Sequence, residues 1–321
     1  MQLTDYMEQI LALGLLAEKG WSGEQQIACL YSCSNAPEAH YYPLTIAKQN
    51  GGHRKLLVPD PLLKGIQQAI LQNVLERQPV SPYAMAYHKG AAIRKNAIIH
   101  QGKPMVLKLD IADFFSSVLI SDVLSACFSS RNFLPQTGML LAGLCCYRGY
   151  LPQGAPTSPA ISNLVMVSFD AWLGDWCKEQ QITYTRYSDD LIFSGDFDAG
   201  LVRRRVEGAL QARGFLLNHK KTRLLRAGQQ QLVTGVVVNE KLQVPRAYRR
   251  AVRQALYYCQ RYGVRSHLAN QLQLPENIIE DGQVKAYLRT LLGKINFILQ
   301  IQPQDGECLQ GRQQVKQWLM E

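Results

Sequence analysis

The sequence predicts an α+β chain in which short antiparallel strand pairs are set among helices and an all-helical segment follows. Three observations carry this. The run ITYTRYSDDLIFSG places β-branched, aromatic and apolar residues on both sides of Ser188-Asp189, the pattern of a tight hairpin. The stretch YYPLTIAKQNGGHRKLLVP has two apolar flanks around Asn50-Gly51-Gly52, residues that supply the positive φ values a hairpin turn needs. From Pro245 onward the pattern is helical throughout.

With 321 residues, the chain is long enough for a large core and for two or three subdomains. Its 35 Lys and Arg against 25 Asp and Glu give a net charge of +10, which favours a polyanionic partner. The apolar runs, such as ILALGLLA and GMLLAGLCCY, are short of a membrane span, and the start MQLTDYMEQI lacks a basic signal region. A cytoplasmic protein with no membrane partner is expected. Its eight cysteines show neither CxxC nor paired His spacing, so they read as reduced core thiols.

Taken in order, residues 1–35 read as helical, with Leu3, Met7, Ile10, Leu11 and Leu15 on one face and a second segment around Ile27 to Tyr31. After the first hairpin, whose turn is followed by His53, Arg54 and Lys55, Asp60 and Pro61 open a helix through Arg77. In VLKLDIADFFSSV the alternation puts Val106, Lys108 and Asp110 on one side and Leu107, Leu109 and Ile111 on the other. Asp110 therefore leaves a strand end on a polar side. Helices follow around Asp122 to Ser130 and Thr137 to Tyr147. The loop GYLPQGAPTSP is stiffened by Pro152, Pro156 and Pro159 and feeds a helix from about Ser158 to Gln180. Beyond the second hairpin, Asp198 to Arg213 is a basic helix closed by Gly214, and NHKKTRLL and LVTGVVVN read as strands. The segment after Pro245 holds eleven basic and six acidic residues, a net +5. Arg246, Arg250, Arg253 and Tyr257 fall on one helical stripe, which suits a phosphate backbone with an aromatic beside it.

The chemistry is concentrated in carboxylates. Asp189 and Asp190 are neighbours at a hairpin tip, and like charges so close call for a cation; aspartate oxygens suit Mg²⁺. Those residues alone leave a solvated Asp-Asp turn equally open. If Asp110 lies alongside, the three could hold two metal ions for in-line nucleotidyl transfer.

The order strand-D-x-x-D-F-F, LPQGAPTSP, YSDD, then a Gly-Phe segment with Lys220 and Lys221 resembles the successive palm motifs of reverse transcriptases, over about residues 40–240. The strings Asn96-Ala97-Ile98-Ile99-His100 and Val233-Thr234-Gly235 further resemble signatures of the bacterial retron group. The resemblance implies a right-hand polymerase fold: an N-terminal helical segment over 1–35, fingers over 36–104 with part of 120–160, a palm over 105–240, and a basic helical thumb over 245–321. It implies Asp110, Asp189 and Asp190 as catalytic ligands of two Mg²⁺ ions, with Mn²⁺ a possible substitute. Nucleotide contacts would come from Arg54, Lys55, Ile111, Phe115 as a gate against the ribose 2′-hydroxyl, Gln153, and Lys220 or Lys221. RNA contacts would come from Asn96, His100, Val233, Thr234, Gly235, Arg246, Arg250 and Arg253. Ser188 stands where alanine is more usual in the family. The implied reaction copies part of a cognate structured non-coding RNA into branched multicopy single-stranded DNA from dNTPs, in an antiphage system with a separately encoded effector. A group II intron-like or diversity-generating reverse transcriptase, or a non-catalytic RNA-binding scaffold, are the alternatives.

Overall fold

The computed structural model describes residues 4–47 and 51–320, so Leu3 and Asn50 lie outside the described residues. The chain divides into two compact units, residues 1–91 with 107–224 and residues 92–106 with 225–321.

The elements in chain order are α1 (Asp5–Ala12), α2 (Gly23–Asn35), β1 (Tyr41–Ala47), β2 (His53–Pro59), α3 (Pro61–Asn73), α4 (Ile93–Ile99), β3 (Met105–Ala112), α5 (Phe114–Ser117), α6 (Ile120–Cys127) and α7 (Pro135–Cys145). There follow α8 (Ser158–Val165), α9 (Val167–Glu179), β4 (Thr183–Tyr187), β5 (Asp190–Gly195), α10 (Ala199–Gln211), β6 (Leu216–Leu217), β7 (Arg223–Arg226), β8 (Leu232–Val233) and β9 (Val236–Val237). Helices α11 (Arg246–Tyr262), α12 (Val264–Leu272), α13 (Asp281–Ile301) and α14 (Gly306–Met320) complete the chain.

In the first unit, β1 and β2 pair antiparallel from Tyr41 opposite Pro59 to Ala47 opposite His53, and Gly51 and Gly52 both take positive φ. Asp60 caps α3 by accepting from the Leu63 amide at 2.8 Å. The central sheet runs β4-β5-β3-β6, with β7 also on β3. Its apolar face and the surrounding helices share one core that includes Ile10, Leu30, Ile66, Leu109, Leu141, Phe169 and Phe193. Burial of such side chains is the dominant favourable term in folding.

Where expectation and structure differ, the reason is local. The helix expected from Ser158 to Gln180 is two helices, α8 and α9, meeting at Met166. Of NHKKTRLL, the first part is a turn in which the Lys221 amide bonds the Asn218 carbonyl at 3.1 Å, and only Arg223–Arg226 is strand. LVTGVVVN is a hairpin rather than one strand. Thr234 (φ 45°) and Gly235 (φ 83°) form its two-residue turn, and positive φ at both positions is what a type I′ turn requires.

In the second unit, α4 packs against β9, and the Gly102 amide donates to the Val238 carbonyl at 2.9 Å. The helical remainder follows the expectation, with Val252, Leu256, Leu288, Leu291, Ile295 and Ile298 buried. All eight cysteines are free thiols, seven of them buried. Among the described residues no helix is long and apolar enough to cross a membrane.

Candidate active site

The alternation of β3 does what the sequence implies: Leu109 and Ile111 enter the core while Asp110, 6% exposed, sits at the edge of a cavity. The neighbour of β3 in the sheet is β5, and the Ile111 amide donates to the Asp189 carbonyl at 3.0 Å. The Asn218 amide donates to the Asp110 carbonyl at 2.8 Å. Backbone bonds on both sides thus hold Asp110 beside the tip of the β4-β5 hairpin.

That tip is a two-residue loop, Ser188-Asp189, closed by the Tyr187–Asp190 pair. Ser188 takes φ 61° while Asp189 does not share the positive sign, as in a type II′ turn, where glycine is the usual first residue. A left-handed serine costs about 1–2 kcal/mol, so the surroundings must hold it. Arg186, fully buried, does so: its guanidinium donates to the Ser188 carbonyl at 3.2 Å and to the Asn163 side-chain oxygen at 3.1 Å, and it pairs with Asp170 at 2.7 Å. No sequence reading singled out Arg186 or Asp170; a basic residue among strand-forming neighbours that must be buried was the available signal.

Three carboxylates now act on one another. Burial pushes the Asp110 carboxyl above its usual range; the Lys221 hydrogen bond draws it back, and the negative charge of Asp189 raises it again. Asp190 is raised chiefly by burial, countered by the Lys108 charge and reinforced by Asp189 and Asp110. The Lys221 ammonium lies 2.9 Å from Asp110 Oδ2, and that contact raises its own pKa. Burial outweighs the ion pair at Asp110, because Lys221 is largely exposed and its charge is screened by solvent.

The cavity beside these groups has a volume of about 560 Å³. Its walls carry Asp110, Ile111, Phe115, Gln153, Asp189 and Lys221, together with Arg54 and Lys55 of β2. Gln153 is placed by its backbone, whose carbonyl accepts from the Leu57 amide of β2 at 2.8 Å. Gly154 permits this approach: a Cβ there would stand 2.6 Å from the Leu57 carbonyl oxygen, and its φ is 127°. Lys220 does not line the cavity; Lys221 does. Asp190 is adjacent and coupled but is not part of the wall.

Asp110 Oδ1 is buried without a hydrogen-bond partner, and the donor set is all oxygen, which suits a hard divalent cation. Among the described residues, no three His, Cys, Asp or Glu side chains are gathered closely enough to form a metal cage.

The remaining residues of interest lie in the second unit. Asn96 and His100 are buried on α4 and its C-terminus, and Val233, Thr234 and Gly235 make the β8-β9 turn. Two strings well over a hundred residues apart are thus packed together through α4 and β9. Arg246, Arg250 and Arg253 lie on α11, exposed, and Arg253 pairs with Glu307.

The chain matches the family described as reverse transcriptase (RNA-dependent DNA polymerase) over residues 46–252. It is 37% identical over 237 residues to the retron Mx65 reverse transcriptase of Myxococcus xanthus, covering 68% of this chain and 56% of that protein. It is 32% identical over 238 residues to the retron Ec83 reverse transcriptase of Escherichia coli, covering 69% of this chain and 76% of that one. A solved foamy viral protease-reverse transcriptase aligns with a TM-score of 0.42 and 15% identity, over 80% of this chain and 36% of that chain. The chain spans about half the length of the first two curated relatives it matches, at 56% and 52%. The family match covers the sheet, both aspartate-bearing strands and the Gln153 loop, and the architecture is accordingly the family's α+β right-hand fold. With 76% of the Ec83 relative covered at 32% identity, the chain belongs to the bacterial retron reverse transcriptases.

Proposed function

We propose that this chain is an RNA-directed DNA polymerase that copies a cognate structured RNA into DNA that remains joined to it as a branched product. The observation that carries the reading is the first-unit cavity, where Asp110 and Asp189 face Arg54, Lys55, Phe115 and Gln153 across a space suited to a nucleotide. Asp110, Asp189 and Asp190 would hold two Mg²⁺ ions, with Mn²⁺ a substitute, the remaining ligands coming from water and substrate phosphates rather than from a protein cage. Bound there, the ions would lower the pKa of a terminal hydroxyl and neutralise triphosphate charge.

The chain's own residues do the positioning. Arg54 and Lys55 meet the triphosphate as cationic donors on a strand whose neighbour loop carries Gln153. Phe115, half-buried against Phe114 at a ring separation of 5.7 Å, presents a bulky face where a 2′-hydroxyl would lie and so selects deoxynucleotides. Ile111, whose side chain is buried in the core, borders the cavity beside Asp110. Lys221 rather than Lys220 supplies a positive charge at the reacting end. Most of the expected fingers and palm would fall in the first unit, with 92–106 and 225–240 in the second. The basic helices, with Asn96, His100 and the Val233-Thr234-Gly235 turn, map to RNA engagement by the second. The family's branched DNA, an effector protein and an antiphage role in the cytoplasm belong to the same reading.

The test is primer extension by the purified chain with its co-expressed RNA, dNTPs and Mg²⁺. DNA synthesis is expected, and Asp189→Asn with Asp190→Asn should abolish it; synthesis unchanged in that variant would overturn the reading.

A further inference from the structure

The second unit contains a groove of about 660 Å³ between α11 and α12. At about 100° per residue, its α11 wall of Ala251, Gln254, Ala255, Tyr258 and Tyr262 is one continuous helical face. Ser266, His267, Asn270 and Gln271 of α12 form the other wall. None of these lining residues is Lys, Arg, Asp or Glu, in a segment otherwise rich in charge.

Aromatic rings run along it. Tyr258 lies 6.0 Å from Tyr262 at an interplanar angle of 35° and 5.5 Å from His267 at 33°. Tyr262 is 62% exposed, so its ring is open to a partner. Gln254 donates to the Tyr258 hydroxyl at 3.4 Å and so fixes the tilt of that ring. His267 is only 9% exposed and its Nε2 is buried with no hydrogen-bond partner, an unmet polar group at the groove wall. Burial holds its pKa below the usual value, so the ring is neutral.

The charge is beside the groove, not in it. Taking the groove face as the reference direction, Arg250 and Arg261 stand about 80–100° to one side, with Tyr257 next to them. All three are exposed. Arg249 and Arg253 stand on the opposite side, where they pair with Asp305 and Glu307.

We propose that this groove is a stacking site for an unpaired nucleobase of the RNA partner. The ring lies against Tyr258 and Tyr262, its polar edge meets the exposed Asn270 and Gln271, and the flanking phosphates meet Arg250 and Arg261. A neutral aromatic slot with amide groups at its rim fits a flat heterocycle with donors and acceptors, and it gives a phosphate nothing to pair with. The adjacent arginine flank supplies that pairing. The identity of the strand as RNA rests on the function proposed above.

The test is fluorescence titration of the full chain against a short unstructured RNA carrying one 2-aminopurine. Stacking should quench the probe. Tyr262→Ala and Tyr258→Ala should each relieve the quench and weaken binding about tenfold or more, and Tyr262→Trp should retain both. Unchanged quenching in the two alanine variants overturns the proposal, as does equal quenching by a fully paired duplex. Equal quenching by the deoxy oligomer overturns the RNA assignment. If Tyr258→Ala fails to fold, the exposed Tyr262 carries the test alone. Primer extension and titration of the native chain together separate the two readings: quenching without DNA synthesis defeats only the polymerase, and synthesis without quenching defeats only the groove.

Discussion

Arg186 and Asp170 are a fully buried ion pair in which Arg186 Nε donates to Asp170 Oδ1 at 2.9 Å and Nη2 to Oδ2 at 2.7 Å. Tyr184 donates its hydroxyl to the same carboxylate at 2.8 Å, and Asn163, which receives from Arg186, donates onward to the Ala86 carbonyl at 2.7 Å. The network ties α8, α9 and the strand feeding the hairpin to the carbonyl of Ser188, immediately before Asp189. Removing one member leaves an uncompensated buried charge, so Asp170→Asn should cost about 3–5 kcal/mol in urea unfolding. Arg186→Met with Asp170→Leu should recover much of that stability. It should still lose DNA synthesis, because nothing then holds the left-handed Ser188; full activity in a stable double variant would refute the positioning role.

Gly154 gives a second prediction. Alanine there would face the Leu57 carbonyl oxygen at 2.6 Å with a φ that L residues rarely adopt. Gly154→Ala should destabilise the fold by about 1–3 kcal/mol. Because the strain opens the bond between Gln153 and the strand carrying Arg54 and Lys55, the KM for dNTP should rise. An unchanged melting temperature and KM would show that the loop and β2 need not approach so closely.

How much of this was legible in the sequence depends on the range of the forces involved. The β4-β5 hairpin was readable because propensity, alternation and turn all agree over fourteen residues, and so was the polar exit of Asp110. Gly235 signalled a turn, yet Thr234 is an unusual residue for positive φ, so the β8-β9 hairpin read as one strand. Which of Lys220 and Lys221 reaches the site depends on a turn at Asn218 that spacing does not reveal. Arg253 looked equivalent to Arg250 because a helical stripe read alone omits the second helix; Glu307, on α14, is what separates them.

The choice of lysine can be checked directly. Lys221 Nζ contacts Asp110 at 2.9 Å, whereas Lys220 is exposed and its carbonyl accepts from Arg223 at 2.8 Å. Lys221→Ala should lower primer extension on the order of 100-fold, and Lys220→Ala only slightly. The reverse order would assign the role to Lys220 and contradict the geometry.

His100 makes stability depend on pH. Burial, assisted by the charge of Lys103, lowers its pKa to about 4 in the folded protein. The unfolded chain therefore binds the proton first as pH falls, and stability is lost between about pH 6.5 and 4. Above that window the histidine is neutral in both states and contributes no pH dependence. The loss should reach roughly 3 kcal/mol at most. Urea unfolding at several pH values should show a steeper acid loss for the native chain than for His100→Gln; identical slopes would mean that His100 takes up its proton without cost.

The two kinds of arginine on α11 should separate in their salt dependence. Each phosphate contact releases counterions, so losing one lowers the slope of log K against log salt by about 1. Arg246 and Arg250 are exposed on α11, and Arg246→Ala and Arg250→Ala should each flatten the slope of RNA binding by that amount. Arg253 is already paired with Glu307, so freeing it for a phosphate means giving up an ion pair. Arg253→Ala should change the slope less, and Glu307→Gln, which releases Arg253, should steepen it. Equal slopes for Arg250→Ala and Arg253→Ala would place all three arginines on one phosphate-facing stripe and remove the distinction that the α14 ion pair draws.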